Sequence, residues 1–277
     1  MTGDASLKLC GMSISPRGAT LKDEHRAVRR LCLLAPLALV AQPALARDLL
    51  VVGTSFPRIF EASGKPGEAD GLGAELMRRA AARMGLGLRF EVLPWLRAQA
   101  MVEQGQADVL VGPYRTPERE QRFLFSRQAF YADALVFYAR RNLATHWVGD
   151  FTALAQVPVA IVQGWAYGDE FERARPGLQL LSTALTVETG LLMLKRGRIE
   201  LLASNERNTA PVIEALGLAQ ELQIINPPIS FQRGHFAYTR NARGEAWRDG
   251  IDQVMSQMRA TGELRELARQ WHIMIPE

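Results

Sequence analysis

The sequence predicts an α/β fold of two lobes, each a mostly parallel sheet covered by helices. Three observations carry that expectation. Short apolar runs alternate with helical patterns in the order β-α-β-α-β through the first half of the chain. The same alternation returns in the second half. The composition, 48% hydrophobic and 22% charged over 277 residues, suits a globular chain with one large core or two smaller ones and excludes a disordered, collagen-like or disulfide-stapled one.

The first 46 residues stand apart. A basic stretch, His25 to Arg30, precedes a ten-residue apolar run, Leu31–Val40, and Ala44-Leu45-Ala46 follows with small residues where a signal peptidase reads. This predicts a secretory signal cleaved after Ala46. The run is too short to cross about 30 Å of hydrocarbon as a helix. Cleavage removes six of the 33 basic and three of the 29 acidic residues, leaving 27 and 26, a net of +1. Bulk charge therefore offers no case for nucleic-acid binding. Cys10 and Cys32 leave with the leader, so the exported chain is expected to hold no disulfide, no cysteine-ligated metal and no thiol nucleophile. No later segment reaches eighteen consecutive apolar residues, so no membrane insertion of the exported chain is expected.

Taken in order, Leu49–Gly53 reads as a buried strand, followed by a turn-rich stretch to Gly71. Leu72, Leu76, Met77, Ala80, Ala81 and Met84 recur at helical spacing, and Gly85 is a natural stop. Leu88, Phe90 and Val92 alternate with Arg89 and Glu91, the period of a half-buried strand. A helix from Trp95 to Gln104 and a strand at Asp108–Gly112 complete the first unit. In the second, Val157–Val162 is a strand, Gln163–Gly168 a loop and Asp169–Arg175 a short helix. Thr186–Arg196 is a helix, Ile199–Ala203 a strand and Thr209–Leu216 a helix ended by Gly217. Leu222–Ile225 and His235–Thr239 read as strands. Trp247, Ile251, Val254, Met255 and Met258 mark a long helix, and Glu263–Trp271 a last one.

Catalytic and metal signatures are scarce. His146, His235 and His272 are widely separated, and no His-x-x-x-His pair, Gly-x-Ser-x-Gly elbow or Walker loop occurs. Gly71-Leu72-Gly73 opens a helix but lacks the third glycine of a dinucleotide fingerprint, so neither metal nor cofactor is expected. The sharper feature is Gly112-Pro113-Tyr114-Arg115-Thr116-Pro117-Glu118-Arg119. Thr116 is a good N-cap and Pro117 suits the first helical position. Backbone N–H groups at such a start favour an anion, and Arg119, one turn in, either clamps a carboxylate or pairs with a nearby glutamate.

Further residues extend the pattern: Gly71-Leu72-Gly73-Ala74-Glu75-Leu76, Pro94-Trp95, Gly105-Gln106-Ala107-Asp108, Thr116-Pro117-Glu118-Arg119 and Phe125-Ser126. In this order they resemble the bacterial extracellular solute-binding proteins of family 3, the periplasmic receptors of polar amino-acid ABC importers. The resemblance runs from about Leu49 to Trp271. It implies the type II periplasmic-binding fold, with two hinge strands and a cleft that closes over one solute. Lobe 1 would be residues 47–139 plus 233–277, and lobe 2 residues 140–232. The family's carboxylate-binding arginine corresponds to Arg119, with Thr116 beside it. Phe56, Trp95, Gly112 and Tyr114 would line lobe 1. The Gln-Gly turn of lobe 2 corresponds to Gln163-Gly164, which puts Trp165, Ala166 and Tyr167 at the ligand.

One departure stands out. Where the amino-acid receptors hold the ligand's ammonium with an aspartate, this chain has Asn205, followed by Glu206. An amide accepts a hydrogen bond from an ammonium but cannot neutralise it. Either Glu206 or another acid substitutes, or the ligand is not a free α-amino acid. The resemblance implies a non-catalytic, monomeric periplasmic receptor that captures a small carboxylate-bearing solute, first of all a polar amino acid or a derivative of one, in the cleft between the lobes for an inner-membrane ABC permease. A periplasmic enzyme on the same scaffold, similar to cyclohexadienyl dehydratases, and the ligand-binding part of a sensory system are the alternatives.

Overall fold

The computed structural model describes residues 48–143 and 147–276. The predicted leader, its cleavage site, both cysteines and His146 lie outside the described residues.

Strand β1 (Leu49–Gly53) is buried along its whole length. Leu49 and Val51 pack into one core and Leu50 and Val52 into another, so both faces are covered, as in parallel sheets. A two-stranded ribbon, β2 (Glu61–Ala62) and β3 (Ala69–Asp70), leads to α1 (Leu72–Met84), which ends on Gly85 in the left-handed region. Then follow β4 (Leu88–Val92), α2 (Trp95–Glu103), β5 (Val109–Tyr114), α3 (Pro117–Arg122) and β6 (Phe123–Phe125). The long strand β7 (Tyr131–Arg140) leaves this half.

The second half holds β8 (Val159–Val162), α4 (Asp169–Ala174), β9 (Leu180–Ala184), α5 (Val187–Lys195), β10 (Leu201–Asn205) and α6 (Glu206–Ala215). Strand β11 (Leu222–Thr239) runs back, and α7 (Ala242–Ala260) and α8 (Glu263–Gln270) close the chain against the first half.

The main sheet runs β4-β1-β5-β11-β7-β10-β8-β9, with β6 on β11. Two parallel trios, β4-β1-β5 and β10-β8-β9, flank the antiparallel pair β11–β7. β11 pairs with β7 over most of its length and with β5 and β6 at its far end; β7 pairs with β10 on its other edge. The two long strands therefore carry the chain between the halves.

The expected class and most elements agree with this architecture, and the differences have physical reasons. The two short strands expected at Leu222–Ile225 and His235–Thr239 are the ends of one 18-residue strand. Asn226-Pro227-Pro228 interrupts its apolar pattern, and its register against β7 shifts between Ile225 and Ser230. α6 begins at Glu206, three residues before the expected Thr209, because Asn205 caps it through its side chain. The short strands β2 and β3 lie in the stretch expected to be turns, and β6, β7 and β9 also stand where the sequence predicts no strand.

Candidate functional site

The strand ends and the loops after them converge between the two halves. Gly112, in β5, has a φ of 87°; a Cβ there would meet the Phe56 ring at 3.1 Å and the Tyr131 hydroxyl at 3.2 Å. Glycine is thus the residue that lets the Phe56 ring lie against the strand. At the end of β5, Tyr114 turns inward and donates from its hydroxyl to Asp133 at 2.8 Å. Burial, and next the Asp133 charge, push the Tyr114 phenol well above its ordinary value, so it acts as a neutral donor.

Thr116 caps α3, its Oγ1 accepting the Arg119 N–H at 3.2 Å, and Pro117 takes the first helical position. This cap aims Arg119 into the cleft. Arg119 is 6% exposed, and its guanidinium donates to two carbonyl oxygens: Tyr114 at 2.9 Å and, across the cleft, Gly164 at 2.8 Å. Burial lowers its pKa from the ordinary value, yet arginine remains a cation in proteins. Trp95, first in α2, donates its indole N–H to the same Gly164 oxygen at 2.9 Å. Arg119 also lies over the Trp95 ring at 5.7 Å.

From the second half, the turn after β8 presents Gly164, Trp165 and Ala166. Phe56 meets Trp95 at a ring separation of 5.7 Å and Trp165 at 6.4 Å, which makes a three-ring wall. At the end of β10, Asn205 is 1% exposed. Its Oδ1 accepts the Asn208 N–H at 2.9 Å and its Nδ2 donates to the Tyr114 hydroxyl at 3.2 Å.

Phe56, Trp95, Gly112, Tyr114, Arg119, Trp165, Ala166 and Asn205 enclose a small cavity of about 10 Å³. Outside it a cleft of about 920 Å³ opens past Thr116, Arg119, Gly164 and Trp165. Two expected residues are placed elsewhere. Tyr167 is wholly buried within the second half; its hydroxyl accepts from the Val162 N–H at 2.7 Å and donates to the Ala203 carbonyl at 3.2 Å. It braces the turn that carries Trp165 and does not line the cavity. Gln163 is exposed, its backbone N–H held by the Ala184 carbonyl, and it lines neither space.

Sequence reasoning missed Asp133 and Arg207. Arg207, in the first turn of α6, forks onto both oxygens of Asp133 on β7, its Nε–Oδ1 distance 3.0 Å. It also donates to the Pro57 carbonyl in the opposite half at 3.0 Å and lies 5.7 Å from the Phe56 ring centre. Burial alone would lower the Arg207 pKa; the charge and hydrogen bonds of Asp133 outweigh it and raise it. The available signal was Asp133 sharing an inward face with Tyr131 and Leu135 at two-residue spacing, since a buried acid requires a partner. That partner stands 74 residues away, where no local spacing points.

Among the described residues no group of three or more His, Cys, Asp or Glu is placed to hold a metal, and no helix is long and apolar enough to cross a membrane. His235 lies on β11, its Nδ1 3.1 Å from the Ser126 carbonyl, and it does not line the cavity.

Two parallel trios joined by two long strands, with a cleft between them lined by both halves, define the class of type II periplasmic binding proteins. The chain belongs to the bacterial extracellular solute-binding proteins, family 3, whose family model matches residues 50–274. Solved structures agree on the fold. A histidine kinase sensor domain with similarity to periplasmic binding proteins superposes with a TM-score of 0.73 at 20% identity, covering 84% of this chain and 99% of that one. A substrate-binding protein of an ABC uptake transporter from Streptococcus pneumoniae, with bound histidine, gives 0.66 at 16% identity, covering 81% and 92%. EhuB in complex with hydroxyectoine gives 0.68 at 16% identity, covering 82% and 89%. A comparison with curated protein sequences finds no match.

Proposed function

We propose that the protein is a periplasmic receptor, released by cleavage after Ala46, which captures one small carboxylate-bearing solute as a monomer. It delivers that solute to the inner-membrane permease of an ABC importer. The observation that carries this reading is Arg119, a buried cation whose hydrogen bonds go to neutral carbonyls and which sits where the two halves meet. A carboxylate replacing the Gly164 oxygen would exchange a neutral acceptor for a charged one, and charged hydrogen bonds are roughly twice as strong. Trp95, Tyr114, Phe56 and Trp165 would enclose the organic part.

In this reading residues 47–139 plus 233–277 move as one lobe and 140–232 as the other, about β7 and β11. A ligand bridging Arg119 and the Gly164 turn shifts the open–closed equilibrium by its differential affinity for the closed form. Titration calorimetry with a panel of small carboxylates tests it. Arg119→Ala is expected to weaken binding by about 1.5–3 kcal/mol, and unchanged affinity removes Arg119 from the site.

The likeness to a histidine kinase sensor domain over 99% of that domain favours a second reading, the solute-binding component of a sensory system. Deleting the gene and measuring uptake of the bound solute separates the two: an importer component loses uptake, a sensor component keeps it. Turnover of a cyclohexadienyl acid by the purified protein would replace both with an enzyme.

A further inference from the structure

We propose that the cleft selects carboxylates lacking a primary ammonium group, with a flat apolar remainder, over free α-amino acids. This rests on the reading that Arg119 receives a carboxylate.

The charges around the cavity do not suit a zwitterion with an ammonium. None of the eight residues that enclose it is acidic, and Arg119 supplies a positive charge. Asp133, just behind Tyr114, is taken on both oxygens by Arg207 and on one of them by the Tyr114 hydroxyl. Its charge is spent on another cation, and it is 7% exposed. Glu206, the other candidate acid from the sequence, is exposed at the start of α6. Glu118, Asp169 and Glu172 line the wider cleft and are exposed to water and salt; the charge of Glu118 acts on Arg119, and none of the three lines the small cavity.

Asn205 completes the argument. Its amide orientation is set by its neighbours: the oxygen must accept the Asn208 N–H as the cap of α6, and so the nitrogen faces Tyr114. The amide thus turns N–H donors, not its oxygen, toward the first half. Donors and a guanidinium together suit an anion. An ammonium placed among them would be desolvated without a counter-charge.

The aromatic wall points the same way. Arg119 lies 5.7 Å from the Trp95 ring centre, and Arg207 lies at the same distance from that of Phe56, so protein cations already use these π faces. Phe56 touches both tryptophan rings here, at separations of 5.7 and 6.4 Å, so a flat, uncharged body would enter as the halves part and take over the ring contacts without displacing either arginine.

Matched pairs test this by titration calorimetry on the wild-type protein and on Asn205→Asp, a substitution that keeps a good helix cap. The pairs are L-phenylalanine with 3-phenylpropanoate, L-histidine with 3-(imidazolyl)propanoate, and L-glutamine with its deaminated acid. We expect the acid without ammonium to bind wild type at least tenfold tighter in the pair that binds best. We expect Asn205→Asp to shift the preference toward the amino acid by tenfold or more. If wild type binds the amino acid as tightly as its partner, and Arg119→Ala loses that binding, the inference is overturned and the carboxylate receptor stands. If no member of any pair binds wild type in an Arg119-dependent way, both readings fall.

Discussion

The cleft buries two arginines almost equally, Arg119 at 6% exposure and Arg207 at 7%, yet their surroundings differ. Arg207 forks onto the Asp133 carboxylate, and that charge raises its pKa. Arg119 meets carbonyls, and burial lowers its pKa. A buried charge with a full counter-charge is part of the frame, because removing either partner strands the other. A buried charge whose hydrogen bonds go to dipoles, with its nearest carboxylate, Glu118, acting only through space, gains when an anion arrives. Burial therefore does not separate a structural arginine from a binding one; the formal charge of its partners does.

The largest expected effect follows from breaking the paired end. Arg207→Ala leaves Asp133 buried and unpaired and is expected to destabilise the protein by about 3–5 kcal/mol in denaturant unfolding. Asp133→Asn combined with Arg207→Met should recover much of that loss. If the single substitution costs less than about 1 kcal/mol, the pair is not structural and the contrast with Arg119 fails.

A third buried base sharpens the contrast. Burial, eased by the Ser126 carbonyl and reinforced by the charges of Arg115 and Arg233, lowers the His235 pKa to about 4. Without a strong enough counter-charge the histidine gives up its proton, which an arginine does not. The folded pKa lies below the unfolded one, so between about 6.5 and about 4 only the unfolded chain gains a proton. Stability is complete above that window and is lost as pH falls through it, by about 3 kcal/mol at the lower end. Unfolding free energies measured from pH 7 to 4 should fall less steeply in His235→Gln; identical slopes would show that His235 is protonated in the fold.

Arg119→Ala comes next, with its loss of about 1.5–3 kcal/mol confined to ligand binding. Its melting temperature without ligand should stay near wild type, since the partners it abandons are neutral carbonyls. A large drop in stability would put Arg119 in the same class as Arg207. The smallest effect is expected from Thr116→Ala, which removes the cap of the helix that aims Arg119 and should cost about 1 kcal/mol of stability. A weaker affinity in that variant, at unchanged ligand chemistry, would tie the cap to the site.

Part of the candidate site was legible in short stretches with local logic, and the rest only through the resemblance to family 3. Thr116-Pro117 announces a helix start, and the spacing to Arg119 is one helical turn. Gly112 precedes the turn, and Pro94-Trp95 opens α2 at the same end of the sheet. Tyr167 shows the limit. It stands two residues after Trp165, on the same turn, yet points into the core and bonds to β8 and β10. The resemblance of Gln163-Gly164 to the family's Gln-Gly turn put it among the expected ligand contacts, while the direction of its side chain depends on a turn whose path no local pattern specifies.

The sequence by itself determined most of the alternation of strands and helices and the Thr116 cap, because these follow from periodicity and from backbone groups satisfied within a few residues, while the gathering of the rings and Arg119 at one site was implied by the resemblance to family 3. Only the tertiary structure decided which charges cancel. Asp133 and Arg207 come from β7 and α6, and Arg119 reaches Gly164 across 45 residues of chain. Electrostatic pairing depends on distance in space and on shared burial, and neither is written in the local order of residues.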